Sequence, residues 1–547
     1  MRNRSGGGGW TRAFALAATI ALAACAAPRT APAPRPGGAA PTGVRLPPIP
    51  PRTGALAIDV VYPAEGQAIG PVDSTFVFGN LGTGQASLSI NGVPVEVAPN
   101  GAFLAYLPVP PDGVYRVAAT AAGGQTVTLE RRVQTASLSA PAPGAGSPTG
   151  YEILGPDSTA VPAGWLGEVH TARSDGTAVG TAVPGSGTPY NWFFPQGTQL
   201  VITGSRAGQL RVRLTDDLSV WVDSADVSPV AYGTGLVRPS ENRLRPLHTF
   251  TGGTVGNVVA TPYRDYVDVR LATSARLPFR VASRERGLTV DVYGAETRTN
   301  NLLYGATDPL IHRMEWEQVT DDLYRLHIEL NDPLWGFQAF YDDAGALIVR
   351  VRRPPVIDPA NPLRGLYIGV DPGHPPGGAI GPTRLTEAEV TLEVARRLAA
   401  KLQERGARVL LTRVDSSAVP LGDRPLRATR EGVHLLVSIH MDAFGDGVNP
   451  FENHGTHVFY NQAQSLDLAR AVQRELLAEL GLRDLGVSRR DLALVRPTWM
   501  PSILSESAFM MIPQNEAALR DPAVLERIAD AHLRGIEAFL RARAASD

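Results

Sequence analysis

Hydrophobic and polar positions alternate in short runs over most of the first 355 residues. Residues 57–61 (AIDVV) and 266–271 (YVDVRL) show this period of two, and the pair Asn91-Gly92 interrupts it. Such alternation is typical of half-buried β-strands, and Asn-Gly between two strands is a strong hairpin signal. The pattern predicts a series of all-β modules in this part of the chain.

After residue 362 the pattern changes, and apolar runs alternate with segments of helical period. In the segment 387–404, Val390, Val394, Leu398 and Leu402 recur every four residues and form one apolar stripe. The pattern predicts strands at 366–371, 407–412, 435–439, 456–460 and 502–505, and helices at 387–404, 464–480 and 515–543. This alternation favours an α/β domain with a largely parallel sheet. We therefore expect a multidomain protein, with N-terminal all-β modules followed by a C-terminal α/β domain.

Stretches rich in Pro, Ala and Gly separate the expected modules, because such segments cannot build a core. The expected order is a signal peptide at 1–24, a tether at 25–55, an immunoglobulin-like β-sandwich at 56–136, a small Src-homology-3-like barrel at 150–230, a further β-rich module at 235–355 and the α/β domain at 360–547. The aromatic run 190–195 either fills the barrel core or lines a groove for glycan or peptide. We favour the core.

Charge and composition narrow the choice of partners. The formal net charge is −2, and 44% of the 547 residues are hydrophobic. A nucleic-acid-binding protein usually shows a basic excess, so no nucleic-acid partner is expected.

The N-terminus resembles an export signal that ends at a lipidated cysteine. Basic residues precede a short apolar stretch at 14–22, which ends in Leu22-Ala23-Ala24-Cys25, and Cys25 is the only cysteine in the sequence. We expect Cys25 to be acylated, which would make the protein an exported, membrane-anchored lipoprotein. Because Ala26 is not Asp, the expected location in a diderm host is the periplasmic face of the outer membrane. The alternative is a simple cleaved signal with an incidental cysteine.

Four residues of the α/β segment carry candidate chemistry. His374 follows the first strand, His440 and Glu506 end later strands, and Glu387 opens the first helix. In open α/β sheets, ligands bind at the carboxyl ends of the strands. Two imidazoles and one carboxylate are a common catalytic zinc set, and a second carboxylate can act as general base. Each residue alone would have an ordinary structural explanation, but their combination favours a metal-dependent hydrolase.

Two other sets of residues compete for the ligand positions. Thr386 and Glu389 fit a capping box, which gives Glu389 a structural role and leaves Glu387 free to face a metal. His454 and His457 form a rival pair, which we place at the surface or behind the ligands.

The α/β segment resembles the zinc-dependent N-acetylmuramoyl-L-alanine amidases of the cell-division type. The matching stretches are IGVDPGH, EAEVTL, VLLTR, Leu421 with Arg424, LLVSIHMDA and PSILSESAF. The resemblance implies that His374, Glu387 and His440 bind Zn²⁺ and that Glu506 is the catalytic carboxylate. It also implies peptidoglycan as substrate, an activator protein of unknown identity as a possible partner, and a wall-targeting role for the module at 235–355.

The segment departs from this family pattern at three places. Pro375-Pro376 follow His374 where the family has two glycines, Met441 replaces a small residue, and Met510-Met511-Ile512 stand where the family often has an asparagine. These changes affect the loops and the groove rather than the ligands. Residues 444–455 are too short for the inhibitory helical insertion of some relatives. Two alternative functions remain, a zinc peptidase acting on stem peptides and a non-catalytic wall-binding scaffold.

Overall fold

The computed structural model describes residues 46–135, 165–185, 190–206, 208–229, 253–306 and 308–545. The expected signal peptide, Cys25, most of the tether and the linker at 137–149 lie outside these residues. No helix in the described ranges is long and apolar enough to cross a membrane.

The first described module is a pair of packed β-sheets. One sheet has the order β1-β3-β6 and the other β2-β8-β7-β4-β5. The predicted Asn91-Gly92 turn joins β4 to β5, and both residues have positive φ. The strands are β1 Asp59–Tyr62, β2 Gln67–Ile69, β3 Ser74–Asn80, β4 Ala86–Ile90, β5 Val93–Val95, β6 Ala102–Pro108, β7 Val114–Ala121 and β8 Thr126–Thr135. Alternate residues such as Val77, Phe103 and Val117 fill the space between the sheets.

The second module is a single antiparallel sheet in the order β11-β10-β14-β13-β12-β9-β15. Its strands are β9 Trp165–Val169, β10 Thr177–Thr181, β11 Tyr190–Pro195, β12 Gln199–Arg206, β13 Gln209–Arg213, β14 Ser219–Asp223 and β15 Val227–Pro229. Trp192, Phe194 and Trp221 are buried. Within the run 190–195, Trp192 and Phe194 belong to the core of this module, as the core interpretation expected, whereas Phe193 is half-buried.

The third module has two sheets around one core, in the orders β20-β16-β17-β25-β24 and β18-β19-β23-β22, and β21 pairs with β16. Its strands are β16 Gly253–Pro262, β17 Tyr266–Thr273, β18 Phe279–Arg284, β19 Gly287–Tyr293, β20 Ala295–Thr297, β21 Leu302–Tyr304, β22 Ile311–Thr320, β23 Leu323–Leu330, β24 Gly336–Tyr341 and β25 Leu347–Arg352.

The C-terminal region is an α/β domain. Its elements are β26 Tyr367–Pro372, α1 Glu387–Glu404, β27 Arg408–Leu411, α2 Asp423–Arg430, β28 Leu435–Asp442, α3 Pro450–Asn453, β29 Thr456–Tyr460, α4 Leu466–Leu480, β30 Asp484–Arg489, β31 Ser502–Phe509, α5 Pro513–Leu519 and α6 Pro522–Ala544. The apolar stripe of α1 is buried against the sheet and α6. The predicted helix at 515–543 is wrong as one element, because Pro522 begins a second helix that Asp521 caps.

The sheet of this domain has the order β27-β26-β28-β31-β29-β30 and is mixed. β26, β27, β28 and β31 run parallel, as does the pair β29–β30, whereas β29 lies antiparallel to β31. The expectation of a largely parallel sheet therefore needs correction at the β29–β31 junction. The three adjacent parallel strands β26, β28 and β31 still bring their carboxyl ends together at one edge.

The third module and the α/β domain share buried contacts. The Trp335 indole N–H donates to the His434 carbonyl at 3.0 Å, and Trp335 belongs to the main core of the α/β domain. The guanidinium of Arg352 donates to the carbonyls of Val433 and Gly432 at 2.7 and 2.9 Å. The α/β domain is therefore packed against its neighbour rather than joined to it by a linker alone.

Candidate metal centre

The four candidate residues lie at the edge where β26, β28 and β31 end. His374 follows β26, His440 lies in β28, and Glu506 lies in β31 directly beside His440 in the strand register. Glu387 is the first residue of α1 and is 3% exposed. The fold thus brings together four residues of which the first and last, His374 and Glu506, are more than 130 positions apart in the sequence.

The carboxylate of Glu387 lies between the two imidazoles. Its Oε1 is 2.9 Å from His440 Nδ1, and its Oε2 is 3.2 Å from His374 Nε2. The two rings are nearly perpendicular, with centroids 5.1 Å apart. Backbone N–H groups of Ala379 and Met441 also donate to Glu387, at 2.8 and 3.1 Å. Three potential ligands therefore converge on one point.

Burial, hydrogen bonds and neighbouring charges shift the pKa values of the two glutamates in opposite directions. Burial acts to raise the pKa of Glu387, but the hydrogen bond and charge of His440 and the charge of His374 outweigh it, so the pKa lies below its usual value. Burial raises the pKa of Glu506 well above normal, and the carboxylates of Asp442 and Glu387 add to this effect. One glutamate thus favours the anionic form that a ligand needs, while the other favours holding a proton.

The helix start separates Glu387 from Glu389 as predicted. The Glu389 N–H donates to Thr386 Oγ1 at 3.3 Å, and the Thr386 N–H donates to Glu389 Oε2 at 3.0 Å. This confirms the predicted capping box. Glu389 is occupied by the cap, and it is not a member of the cluster.

A buried polar network holds the loop that carries His374. Arg413 donates to the carbonyls of Pro372 and Gly373 at 3.0 and 2.9 Å, and Arg424 donates to those of Pro372 and Pro375 at 2.7 and 2.6 Å. Two arginines therefore fix the backbone on both sides of His374, whose φ is 55°.

Asp371 anchors this network from within the core, where it is 0% exposed. It accepts hydrogen bonds from Ser438 Oγ at 2.6 Å, from Arg424 Nη1 at 3.3 Å and from the Thr412 hydroxyl. Because its carboxylate is satisfied, burial of the charge is tolerated. The sequence matches included these residues, but the pattern alone gave no reason to assign them this positioning role.

The rival histidines lie outside the cluster. His454 Nδ1 is 2.8 Å from the Pro450 carbonyl, so it closes a local turn. His457 faces Glu506 across the β29–β31 register, and its Nε2 is buried without a hydrogen-bond partner among the described residues. Burial lowers the pKa of His457 to about 4, so the imidazole stays neutral.

Two departures from the family pattern have a structural role here. The carbonyl of Pro376 is 2.9 Å from His374 Nδ1 and orients the ring. Met441 is buried in the main core, and its N–H contacts Glu387. Both residues therefore support the cluster.

The residues fit a zinc ion. One donor atom from each of His374, Glu387 and His440 lies within 4.8 Å of the other two. The donor set of two imidazoles and one carboxylate is one that catalytic zinc uses, with a further position left for water. His440 Nε2 and Glu506 Oε2 are buried without a partner in the described part of the chain, which leaves polar groups at the site for a ligand.

A cluster of potential metal ligands beside a separate carboxylate, at the carboxyl edge of an α/β sheet, is an arrangement typical of hydrolases. A family model described as N-acetylmuramoyl-L-alanine amidase matches residues 368–538. The germination-specific N-acetylmuramoyl-L-alanine amidase of Bacillus subtilis is 32% identical over 195 residues, which cover 32% of this chain and 80% of that protein. The chain belongs to the N-acetylmuramoyl-L-alanine amidase family, and the resemblance seen in the sequence is confirmed.

Other relatives match about a third of the chain. The N-acetylmuramoyl-L-alanine amidase LytC of Bacillus subtilis is 33% identical over 187 residues, which are 33% of this chain but only 37% of LytC. The solved structure of the amidase AmiC2 of Nostoc punctiforme is 30% identical and covers 32% of this chain and 97% of that one, with a TM-score of 0.30. The range matched by the family model lies within the α/β domain, and the β-rich modules are described from their own contacts.

Proposed function

We propose that this protein hydrolyses the amide bond between N-acetylmuramic acid and the L-alanine of the peptidoglycan stem peptide. The observation that supports this proposal is the convergence of His374, Glu387 and His440 beside Glu506, in a chain of the amidase family. The three clustered residues would hold the zinc ion. Zinc at such a site lowers the pKa of water toward about 7 and polarises a carbonyl group.

Glu506 has the properties of the proton-transferring residue. Its Oε2 is buried and makes no hydrogen bond to any described residue, so it is free to contact a water or substrate. As general base it takes a proton from the attacking water, and as general acid it returns that proton to the departing alanine amine.

Export and anchoring belong to the same proposal. An amidase that acts on peptidoglycan must reach the cell wall, and the segment ending at Cys25 would deliver and anchor it there. Acyl chains contribute about 0.8 kcal/mol per buried CH₂ group, so diacylation would hold the protein at the periplasmic face of the outer membrane of a diderm host. We propose cell division as the setting, with an activator protein as a further partner.

Product analysis tests the proposed reaction. Purified peptidoglycan sacculi digested with the whole protein should release peptides with a free L-alanine N-terminus, identified by mass spectrometry, and Glu506→Gln is the matched control. Shortened peptides that remain bound to muramic acid would indicate a peptidase instead. Binding to sacculi without any release would indicate a scaffold.

A further inference from the structure

The β-sandwich of β1–β8 binds directly to the loop that follows His440. The Asp446 carboxylate of this loop accepts hydrogen bonds from Tyr62 Oη at 2.5 Å, from Thr75 Oγ1 at 2.8 Å and from the Gly70 N–H at 3.2 Å. Hydrogen bonds to an ionised carboxylate are about twice as strong as neutral ones. Three donors from the sandwich thus converge on one side chain of the catalytic domain.

The same surface of the sandwich covers the end of β31. Phe76, Phe78 and Leu104 form one buried cluster with three residues that follow Glu506, namely Phe509, Met511 and Ile512. The Phe444 ring stacks on Phe509 with centroids 4.3 Å apart, and the Met510 N–H donates to the Asp442 carbonyl at 2.9 Å. The loop after His440 and the loop after Glu506 are therefore tied to each other as well as to the sandwich.

Further contacts join the β-sandwich to the α/β domain at the edge of their interface. Tyr106 Oη donates to the Gly447 carbonyl at 2.9 Å, and a Cβ on Gly447 would come within 2.8 Å of the Val72 side chain. Arg384, in the loop before Glu387, makes two hydrogen bonds of 2.6 Å with Asp59. The sandwich thus contacts chain segments next to His440, Glu506 and Glu387.

We propose that the β-sandwich is a working part of the catalytic apparatus, and that Asp446 is the positioning residue through which it fixes the loop after His440. This inference rests on the amidase function proposed above. The physical reason is geometric. Metal sites tolerate errors of only about 0.2 Å in ligand distance, and a misplacement of about 1 Å near a reacting centre can cost about 100-fold in rate. A module that only targeted the enzyme to the wall would not need to hold the loops beside the site.

The test removes the two hydroxyl donors without changing side-chain shape. In the full chain carrying Tyr62→Phe and Thr75→Val, kcat on a soluble muropeptide should fall about tenfold or more, while KM and zinc content stay near wild type. Hydrogen exchange of residues 443–449 should become faster. A chain that carries Thr75→Ser in place of Thr75→Val keeps this hydroxyl donor and should recover kcat. Thr126→Val is the matched control, because the exposed hydroxyl of Thr126 pairs with that of Thr120 between β7 and β8.

Each result of this experiment has a defined meaning. A wild-type kcat on muropeptides in the double variant, or a loss confined to intact sacculi, would overturn the proposal. If the double variant does not fold, Asp446→Asn tests the same contact, since it keeps the size and removes the charge. If the wild type does not cleave muropeptides, the amidase function fails by itself. Hydrogen exchange at residues 443–449 then decides the inference, and an unchanged exchange rate in the double variant overturns it.

Discussion

Gly373 is the position where a single methyl group should disable the metal centre. This glycine precedes His374, and its α-carbon faces the ring of His440. An alanine Cβ at this position would lie 2.5 Å from His440 Cε1, 2.6 Å from Nδ1 and 2.8 Å from Nε2. Ordinary contacts to a Cβ begin near 3.4 Å, so the ring would have to move by 0.9 Å, the difference between 3.4 and 2.5 Å.

This displacement exceeds what a zinc ligand tolerates. Ligand distances in metal sites hold to about 0.2 Å, and changes to groups that only support a ligand already cost about 10- to 100-fold in metal affinity. Moving His440 itself should therefore weaken zinc binding by about 100-fold or more. Overpacking of this kind also costs about 1–3 kcal/mol of stability, so zinc binding is compared between proteins that are both shown to be folded.

The assay is zinc content after dialysis against a weak chelator, measured by atomic emission beside muropeptide hydrolysis. Gly422→Ala is the control, because no atom lies within 4 Å of its added Cβ and its φ is −69°. A Gly373→Ala protein with one zinc per chain and a normal kcat would refute the reasoning, since His440 would then not be a ligand in the observed position.

The remaining predictions concern separate parts of the molecule. Glu506→Gln should keep zinc by atomic emission but lose about 10²- to 10⁴-fold in kcat, and a zinc-free variant would make Glu506 a ligand. Arg424→Met should lower the free energy of unfolding in urea by about 3–5 kcal/mol, because it leaves the buried Asp371 charge without its cation. Burial lowers the pKa of His532 to about 4, so its neutral form stabilises the fold above pH 6.5, and stability falls as the pH drops from 6.5 to 4 by up to about 3 kcal/mol. His532→Leu should reduce the slope of urea stability over this pH range without abolishing it, since His457 has a similarly lowered pKa, and an unchanged slope would contradict the assignment. Cys25→Ala should move the protein from the membrane fraction to the soluble fraction, and unchanged attachment would exclude acylation as the anchor.

Local sequence signals were sufficient to predict the bounds of several elements of the α/β domain. The helix α1 has the predicted bounds because its cap, its apolar stripe and the following Gly406 all agree. β29 also has the predicted bounds. The strand β30 was not predicted because it has no run of apolar residues. It lies at the edge of the sheet and pairs only with β29.

The candidate site was predictable to the extent that strand ends meet at one edge of a sheet. That rule placed His374, His440 and Glu506 together, and the capping box separated Glu387 from Glu389. It could not reveal the Asp371 network or the position of His457, because these depend on register between strands far apart in sequence. The sequence did not explain why apolar residues at 510–512 depart from the family pattern. The structure explains two of them, because the sandwich covers Met511 and Ile512.

The contact between Tyr62 and Asp446 joins residues 384 positions apart, which has a consequence for how the protein folds. A chain grows from its N-terminus at about 5–20 residues per second, so about 20–80 s separate the synthesis of these two residues. The sandwich has its own core and can fold early, but during this interval Phe76, Phe78 and Leu104 have no catalytic domain to cover them. Exposed apolar surface of this kind promotes wrong association. This apolar surface can be buried only after residues 509–512, which follow Glu506, have been synthesised. Burial of the surface and completion of the site therefore occur together, late in folding.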